Sequence, residues 1–332
     1  MSASASSSEA IDPASEVELS DDELLLLRLT CELSTDDESP LGPLQIEVDP
    51  ERLENGARTL VRRGLADRRT YRPHREIVRR LLVVSEPDAR VVLLHASPAS
   101  AERVLDVYLR AGAYVAYRRS GSKHHIGPPL EEVDILDEVR TKFSPRRSTG
   151  DFIELQLTSA EYYALVCFAK ELVLHGEASL GPKRPARSVF DPTMDGAVLM
   201  PGRRARFTPG EAAETSGSLA VPDEAAWQKA LDALVAKDVL SKDRGNWILR
   251  SYLADLARGI ATKTRFVLTR FDFGPGDWFV RDATLIPVPG SVFWLRTTAN
   301  KGLAITEVDA AGLERAMTSA IDELQGRDTV DV

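Results

Sequence analysis

Two stretches of this chain begin in the same way. Leu19-Ser20-Asp21-Asp22-Glu23-Leu24 and Leu157-Thr158-Ser159-Ala160-Glu161-Tyr162 each set a hydroxyl residue three positions before a glutamate, at the head of an apolar run. This is capping-box spacing, in which hydroxyl and carboxylate satisfy backbone N–H groups at a helix start. Each stretch has a matching sequel: Leu60-Val61-Arg62-Arg63-Gly64-Leu65 and Leu234-Val235-Ala236-Lys237-Asp238-Val239-Leu240 both suit a helix end. Leu60 precedes the apolar strand signal at Val91 by 31 residues, and Leu234 precedes that at Phe266 by 32. Matched spacing of this kind narrows the fold to one in which two halves carry the same element order, and it directs the search for function toward surfaces.

At 332 residues with 43% hydrophobic and 28% charged, each half can bury its own core, and the composition is that of a globular protein. A net charge of −9 sets the overall field against nucleic acid and anionic membrane. Apolar runs such as Leu24 to Leu27 and Val91 to Leu94 are far shorter than the roughly 20 residues of a membrane span. Residues 1–16, rich in Ser and Ala, lack the cationic and apolar regions of a secretory signal and are expected to form a disordered tail on a cytoplasmic protein. Cys31 and Cys167 sit on apolar helical stretches and are expected to be small buried hydrophobes; a cytoplasmic setting argues against a disulfide between them.

In the first half, residues 17–145, helices are expected over Asp21 to Leu33, from Pro50 with Asp49 as N-cap, and over about Pro73 to Val83. Gly64 is placed to take the left-handed conformation that ends the second helix. A buried strand at Arg90 to His95 and a hairpin around Arg110-Ala111-Gly112 follow, then a helix near Glu131 to Lys142. In the second half, residues 151–325, the helices fall at Ala160 to Leu174, Asp223 to Lys237 and about Ile248 to Ala257. Strands follow at Arg265 to Phe271, Asp277 to Ile286, Ser291 to Thr297 and Leu303 to Thr306, and a helix over Asp309 to Leu324 closes the half. The expected fold class is α/β (α+β): a pseudo-twofold duplicated fold with a central, mostly antiparallel sheet flanked by helices. Each half supplies three helices, a β-meander and a closing helix.

The halves differ at one insertion, residues 176–222, which holds the basic runs Gly181 to Arg187 and Pro201 to Arg206. A loop of that length is either a solvated excursion or a partner-binding arm.

Enzyme signatures are missing: the sequence has no glycine-rich dinucleotide loop, phosphate loop, zinc-protease helix, serine elbow or zinc-spaced cysteines. No catalytic residue, cofactor or metal ligand is assigned, and the chain is expected not to be an enzyme. His95, His124, His125 and Asp134 permit a sketch of a metal site, but neighbours on a strand point to opposite faces. His124 and His125 are therefore expected in a polar loop or at an exposed strand end, and His74 and His175 at helix ends.

Three helices followed by a hairpin also suit a winged helix. On that alternative, a tandem winged-helix-like DNA-binding regulator, Arg72, Arg75, Arg79 and Arg80 on the third helix would neutralise phosphates. The equivalent helix of the second half offers only Arg250 and Arg258.

Taken together, the L-V-R-R-G-L type helix end, the short spacer, the helix and the buried strand in each half resemble the EspG family, cytosolic chaperones of type VII secretion. The matching residues are Leu60 to Leu65, Arg72 to Val83 and Val91 to Leu94, then Leu234 to Leu240, Ile248 to Ala257 and Phe266 to Leu268, within about residues 17 to 324. The resemblance implies a quasi-twofold fold without catalysis that caps an apolar helical tip of a secreted heterodimer and keeps it soluble in the cytosol. The Ser-rich tail and the insertion depart from the pattern. The corresponding expectation is a chaperone or adaptor bound to another protein, a secreted helical substrate for example, with no membrane or nucleic-acid partner. Candidate contacts are Phe271, Phe273, Trp278, Phe279 and Trp294, with Arg203, Arg204 and Arg206 in the insertion. Alternation along the strand sets Trp278 and Phe279 on opposite faces, and an edge strand offers a second mode, strand addition.

Overall fold

The structure is a computed structural model that describes residues 14–33, 35, 38–42, 49–97, 100–143, 152–176, 179–181, 221–262, 264–274, 277–297 and 303–321. It is a mixed α+β fold with a large, mostly antiparallel central sheet and eight α-helices among the described residues.

The first stretch runs β1 (Val17–Ser20), α1 (Asp21–Thr30), α2 (Pro50–Arg62), α3 (Arg75–Ser85), then β2 (Ala89–Ala96), β3 (Ala101–Arg110), β4 (Ala113–Ser120), β5 (Lys123–Leu130) and α4 (Glu132–Thr141). The second runs β6 (Glu154–Leu157), α5 (Ser159–His175), β7 (Ser179–Leu180), α6 (Glu224–Ala236), β8 (Leu240–Asp243) and β9 (Asn246–Leu249). A 3-10 turn at Ser251–Leu253, α7 (Ala254–Thr262), β10 (Arg265–Gly274), β11 (Asp277–Val288), β12 (Ser291–Thr297), β13 (Leu303–Val308) and α8 (Ala310–Ile321) complete it. Strand, helices, four-stranded meander and closing helix follow one another in the same order in both stretches. Ten strands are hydrogen-bonded in the order β1-β5-β4-β3-β2-β10-β11-β12-β13-β6, and β7-β9-β8 form a small separate sheet.

The chain packs as two compact units. In the first, formed by Met1–Val91, Leu105–Ile135 and Phe271–Pro275, the capping box of α1 closes as its spacing requires. Ser20 Oγ accepts from the Glu23 N–H at 3.2 Å, and Glu23 Oε2 accepts from the Ser20 N–H at 2.7 Å. Asp49 caps α2 by accepting from the Glu51 N–H at 2.9 Å. Gly64 ends that helix at φ +69°, while the Leu65 N–H returns to the Leu60 carbonyl at 2.8 Å, a left-handed termination. α1 and α2 cross closely because Gly56 has no side chain; a Cβ there would stand 2.5 Å from the Asp22 carbonyl oxygen. Leu24 and Leu27 of α1, Leu60 of α2 and Ile77, Leu81 and Val84 of α3 pack with Val115 and Ile126 of the sheet into one core.

The second unit, formed by Val92–Val104, Leu136–Arg270 and Gly276–Val332, is built around α5, in which Tyr162 to Ala169 are all buried. A helix covered on every side must be apolar on every side, which explains its unbroken hydrophobic run. Trp227 of α6 meets Tyr163 edge to face at 6.1 Å between ring centres. α7 sits on β11 through Gly259, where a Cβ would lie 2.6 Å from the Val288 side chain. Ile286, Phe293, Leu295, Ile305 and Leu155 line the sheet face toward α5 and α7.

Several elements depart from the sequence expectations. β1 and β6 precede the capping boxes although neither was anticipated. Lys123 to Leu130 is a strand despite Pro128 and Pro129, so His124 and His125, expected in a polar loop or at an exposed strand end, lie near a strand's start. Its His124 is buried, with Nδ1 paired to the Tyr117 hydroxyl and Nε2 to Asp21 Oδ1, each at 2.8 Å, while His125 turns to Glu16 at 2.9 Å. Ile248 and Leu249, expected to open a helix, lie in β9, and the helix begins at Ala254. Alternation explains the difference: Trp247 and Leu249 are buried while Asn246 is exposed and Ile248 half-buried, the pattern of a strand. Residues 182–220, with Arg203, Arg204 and Arg206, lie outside the described residues, as do residues 1–13 and the Leu324 end of the last helix.

Candidate partner-binding surface

β10 carries Phe271 and Phe273 two positions apart, hence on one face, and both are half-buried. Trp278 and Phe279 lie on β11, and their side chains are outside the described residues. Of the arginines on and before α3, Arg72, Arg75 and Arg79 are exposed. Arg80 is not a surface cation: it is 1% exposed, donates to the Ser15 carbonyl at 2.6 Å and pairs with Glu76 at 3.2 Å. Facing inward, it anchors backbone and is not presented to a phosphate.

A polar groove lies in the second unit. Register places Trp294 of β12 opposite Thr306 of β13, and Thr306 opposite Glu154 of β6, so the three lie in a row across the sheet. Phe293 and Leu295 point into the core with α5, so the pleat turns Trp294 and Arg296 to the other face, where α8 lies over the strands. α8 comes close because Gly312 has no side chain; a Cβ would lie 2.9 Å from Val308 Cβ. Between helix and strands runs a groove of about 370 Å³ lined by Phe152, Glu154, Trp294, Arg296, Thr306 and Arg315, among others.

The Arg296 guanidinium stacks 4.2 Å from the Trp294 ring centre, and the Trp294 Nε1 is buried without an acceptor. Glu307 accepts from Ser291 Oγ at 2.5 Å, and Asp309 caps α8 by accepting from the Gly312 N–H at 2.7 Å, so both carboxylates are committed within the fold. Arg296 and Arg315 form no ion pair with a described residue. Sequence reading singled out Trp294 and missed its neighbours. The alternation Phe293-Trp294-Leu295-Arg296 did hold the signal that Trp and Arg share a face.

Edge pairing is restricted at one end of the ten-stranded sheet. The Lys237 ammonium takes the carbonyl of Gln156 on β6 at 2.6 Å, a charged device that blunts an open edge. His95, from the metal sketch, stacks on Phe266 at 4.6 Å, and among the described residues no three His, Cys, Asp or Glu side chains gather as metal ligands. Neither Cys31 nor Cys167 is in a disulfide, and no described helix is long and apolar enough to cross a membrane.

No protein-family model matches this chain, and no curated protein matches it. Among solved structures, the chain is similar in fold to the type VII secretion system chaperone EspG5 of Mycobacterium tuberculosis, solved in complex with the PE25–PPE41 dimer. Identity is 12% and the TM-score 0.50, over 93% of this chain and 96% of that one.

Proposed function

We propose that this chain is a non-enzymatic, EspG-like chaperone or adaptor of the cytosol that shields an apolar surface of a partner protein destined for secretion. One observation carries the reading: the likeness to a secretion chaperone runs through nearly the whole of both chains, so the shared fold is complete and not a common submotif. We take residues 17–145 and 151–325 as its two EspG-like halves. A broad sheet with half-buried aromatics such as Phe271 and Phe273 offers apolar contact area. Trp278, Phe279, Arg203, Arg204 and Arg206 belong to the same proposed contact set.

Co-expression with the products of neighbouring reading frames, followed by affinity capture and size-exclusion chromatography, tests the reading. Retention of a small helical protein in a defined complex is expected, with weaker capture after Phe271→Ser/Phe273→Ser substitution. Steep, salt-sensitive retention of duplex DNA, lost on combined Arg72→Gln, Arg75→Gln and Arg79→Gln substitution, would turn the assignment to the DNA-binding regulator.

A further inference from the structure

We propose that the arginine-rich hairpin between α2 and α3, with the exposed face of α3 beside it, is a docking surface for an acidic peptide segment of a partner protein. This goes beyond the chaperone reading and does not depend on it. The hairpin is closed at its base: Ala66 and Pro73 form a β-bridge, and the Asp67 N–H donates to the Arg72 carbonyl at 2.8 Å. Asp67 Oδ1 accepts from the Arg69 N–H at 3.0 Å and from the Thr70 N–H and hydroxyl at 2.7 and 2.8 Å, so the tip is braced from within. Arg68, Arg69 and Arg72 are carried on that tip. Arg62, just before Leu65, and Arg75, directly after His74, flank its base, because the His74 N–H donates to the Leu65 carbonyl at 3.1 Å. Arg79 follows Arg75 by one turn on the same face of α3.

All of these arginines are exposed, and none forms an ion pair with a described residue. The carboxylates of the same stretch do not cancel them. Glu76 is matched by Arg80, as Glu23 is by Arg63. Asp67 stays charged, its carboxyl held below the ordinary range by hydrogen bonds from Thr70 and Arg69, and it is a single carboxylate against six guanidiniums. In the corresponding stretch of the second unit, Arg250 pairs with Asp238 at 2.6 Å, Arg258 pairs with Asp255 at 2.7 Å, and Lys242 lies 4.6 Å from the Trp247 ring centre. The unpaired excess therefore belongs to one copy of a repeated element and is not a requirement of the fold.

Tyr71 adds apolar contact among the cations. It stands 57% exposed at φ +54°, a conformation costly for an aromatic residue. Tyrosine and arginine are the side chains that most often dominate protein interfaces. A short peptide suits the patch better than a duplex or an anionic bilayer does. The whole chain carries a net charge of −9, so the surface outside this basic patch is more acidic still. Screening confines the field of the arginines to about 8 Å at physiological ionic strength, so a segment lying within the patch meets them alone, whereas a duplex or bilayer runs on over acidic surface. α3 also leads into β2, an interior strand of the sheet, and not into the free hairpin of a winged helix.

Fluorescence anisotropy of a labelled, capped octapeptide of alternating glutamate and leucine, titrated with the full chain, tests the proposal. Saturable, salt-weakened binding is expected, at least about fivefold weaker for the glutamine version of the peptide and for the Arg68→Gln/Arg69→Gln and Arg75→Gln/Arg79→Gln variants. None of these four side chains makes a hydrogen bond or ion pair with a described residue, and unchanged thermal unfolding verifies that the fold is intact. Arg258→Gln, which breaks an exposed pair of the second unit, is expected to leave binding unchanged. No saturable binding, equal binding of both peptides, or binding indifferent to both double variants overturns the proposal. Displacement of the labelled peptide by duplex DNA or by phosphatidylserine vesicles at a lower concentration than by unlabelled peptide overturns it in favour of that polyanion. The peptide is taken from no particular partner, so any of these results leaves the affinity-capture test of the chaperone reading standing.

Discussion

The ammonium of Lys237 stands 2.7 Å from Oε2 of Glu161, a carboxylate 5% exposed at the start of α5. Arg63 stands in the same relation to Glu23, at 2.8 Å, with Glu23 1% exposed. In both cases the glutamate belongs to a capping box, and the cation is the residue that caps the second helix. The cation also takes a carbonyl of the preceding strand, Glu18 for Arg63 and Gln156 for Lys237, each at 2.6 Å. Each device thus ties a strand, a helix start and a helix end around one buried charge.

Breaking either device is expected to be costly, because the glutamate remains buried with only its backbone partner. Lys237→Met is expected to lower stability by about 2–4 kcal/mol in denaturant unfolding. Adding Glu161→Gln should restore part of that loss. Additive effects in the double-mutant cycle would show that the two residues are not coupled.

Two glycines separate close packing from backbone conformation. Gly56→Ala forces a methyl against the Asp22 carbonyl and should destabilise by about 3 kcal/mol. Gly64→Ala meets open space but must hold φ near +69°, costing about 1 kcal/mol. Equal losses measured in the same unfolding experiment would contradict this account.

Acid should loosen the attachment of β1. Burial raises the Glu16 carboxyl, but hydrogen bonds from His125 and Arg118 outweigh it and hold the group below its ordinary range. A depressed folded value means that the stabilisation is complete above the unfolded value near 4.5 and is lost as pH falls through the folded one. The side chain is 46% exposed, so the effect is well under 1 kcal/mol and local. The hydrogen-exchange protection of Val17 to Ser20, taken against the intrinsic amide rate at each pH, should fall between pH 5 and pH 3, and Glu16→Gln should abolish that response.

Desolvation pushes the Cys31 thiol up from its ordinary value, which keeps it protonated and slow to alkylate. Iodoacetamide should label Cys31 slowly at pH 8 and faster at higher pH. Cys167, fully buried in α5, should react only on unfolding, so mass spectrometry should find one label on the native protein. Two native labels at pH 8 would show that α5 opens.

The capping boxes, the Asp49-Pro50 start and the Gly64 stop were legible because each is a contact within a few residues, fixed by spacing along the chain. Val17/Leu19 and Leu155/Leu157 did alternate as in strands, but four residues are too few to stand out before a helix. β5 was hidden by His124, His125, Pro128 and Pro129; it is a strand because β1 and β4 pair with it on its two sides, while Tyr117 and Asp21 satisfy the buried His124. Arg80 looked like its exposed neighbours, and nothing local told that its guanidinium turns inward to Ser15, 65 residues away.

The same division holds for the candidate surfaces. Residue type and alternation are properties of the chain, so Trp294 and the element order of the two stretches were visible in it. The commitment of Glu307 to Ser291 and the seat of α8 on β11, β12 and β13 arise from register and packing between separate segments, whereas Trp294 with Arg296, Asp309 with Gly312 and Val308 with Gly312 are contacts within a few residues. Hydrogen-bond and charge satisfaction depend on which groups meet in space, and only the folded chain leaves Arg296 and Arg315 on one groove without a carboxylate partner among the described residues.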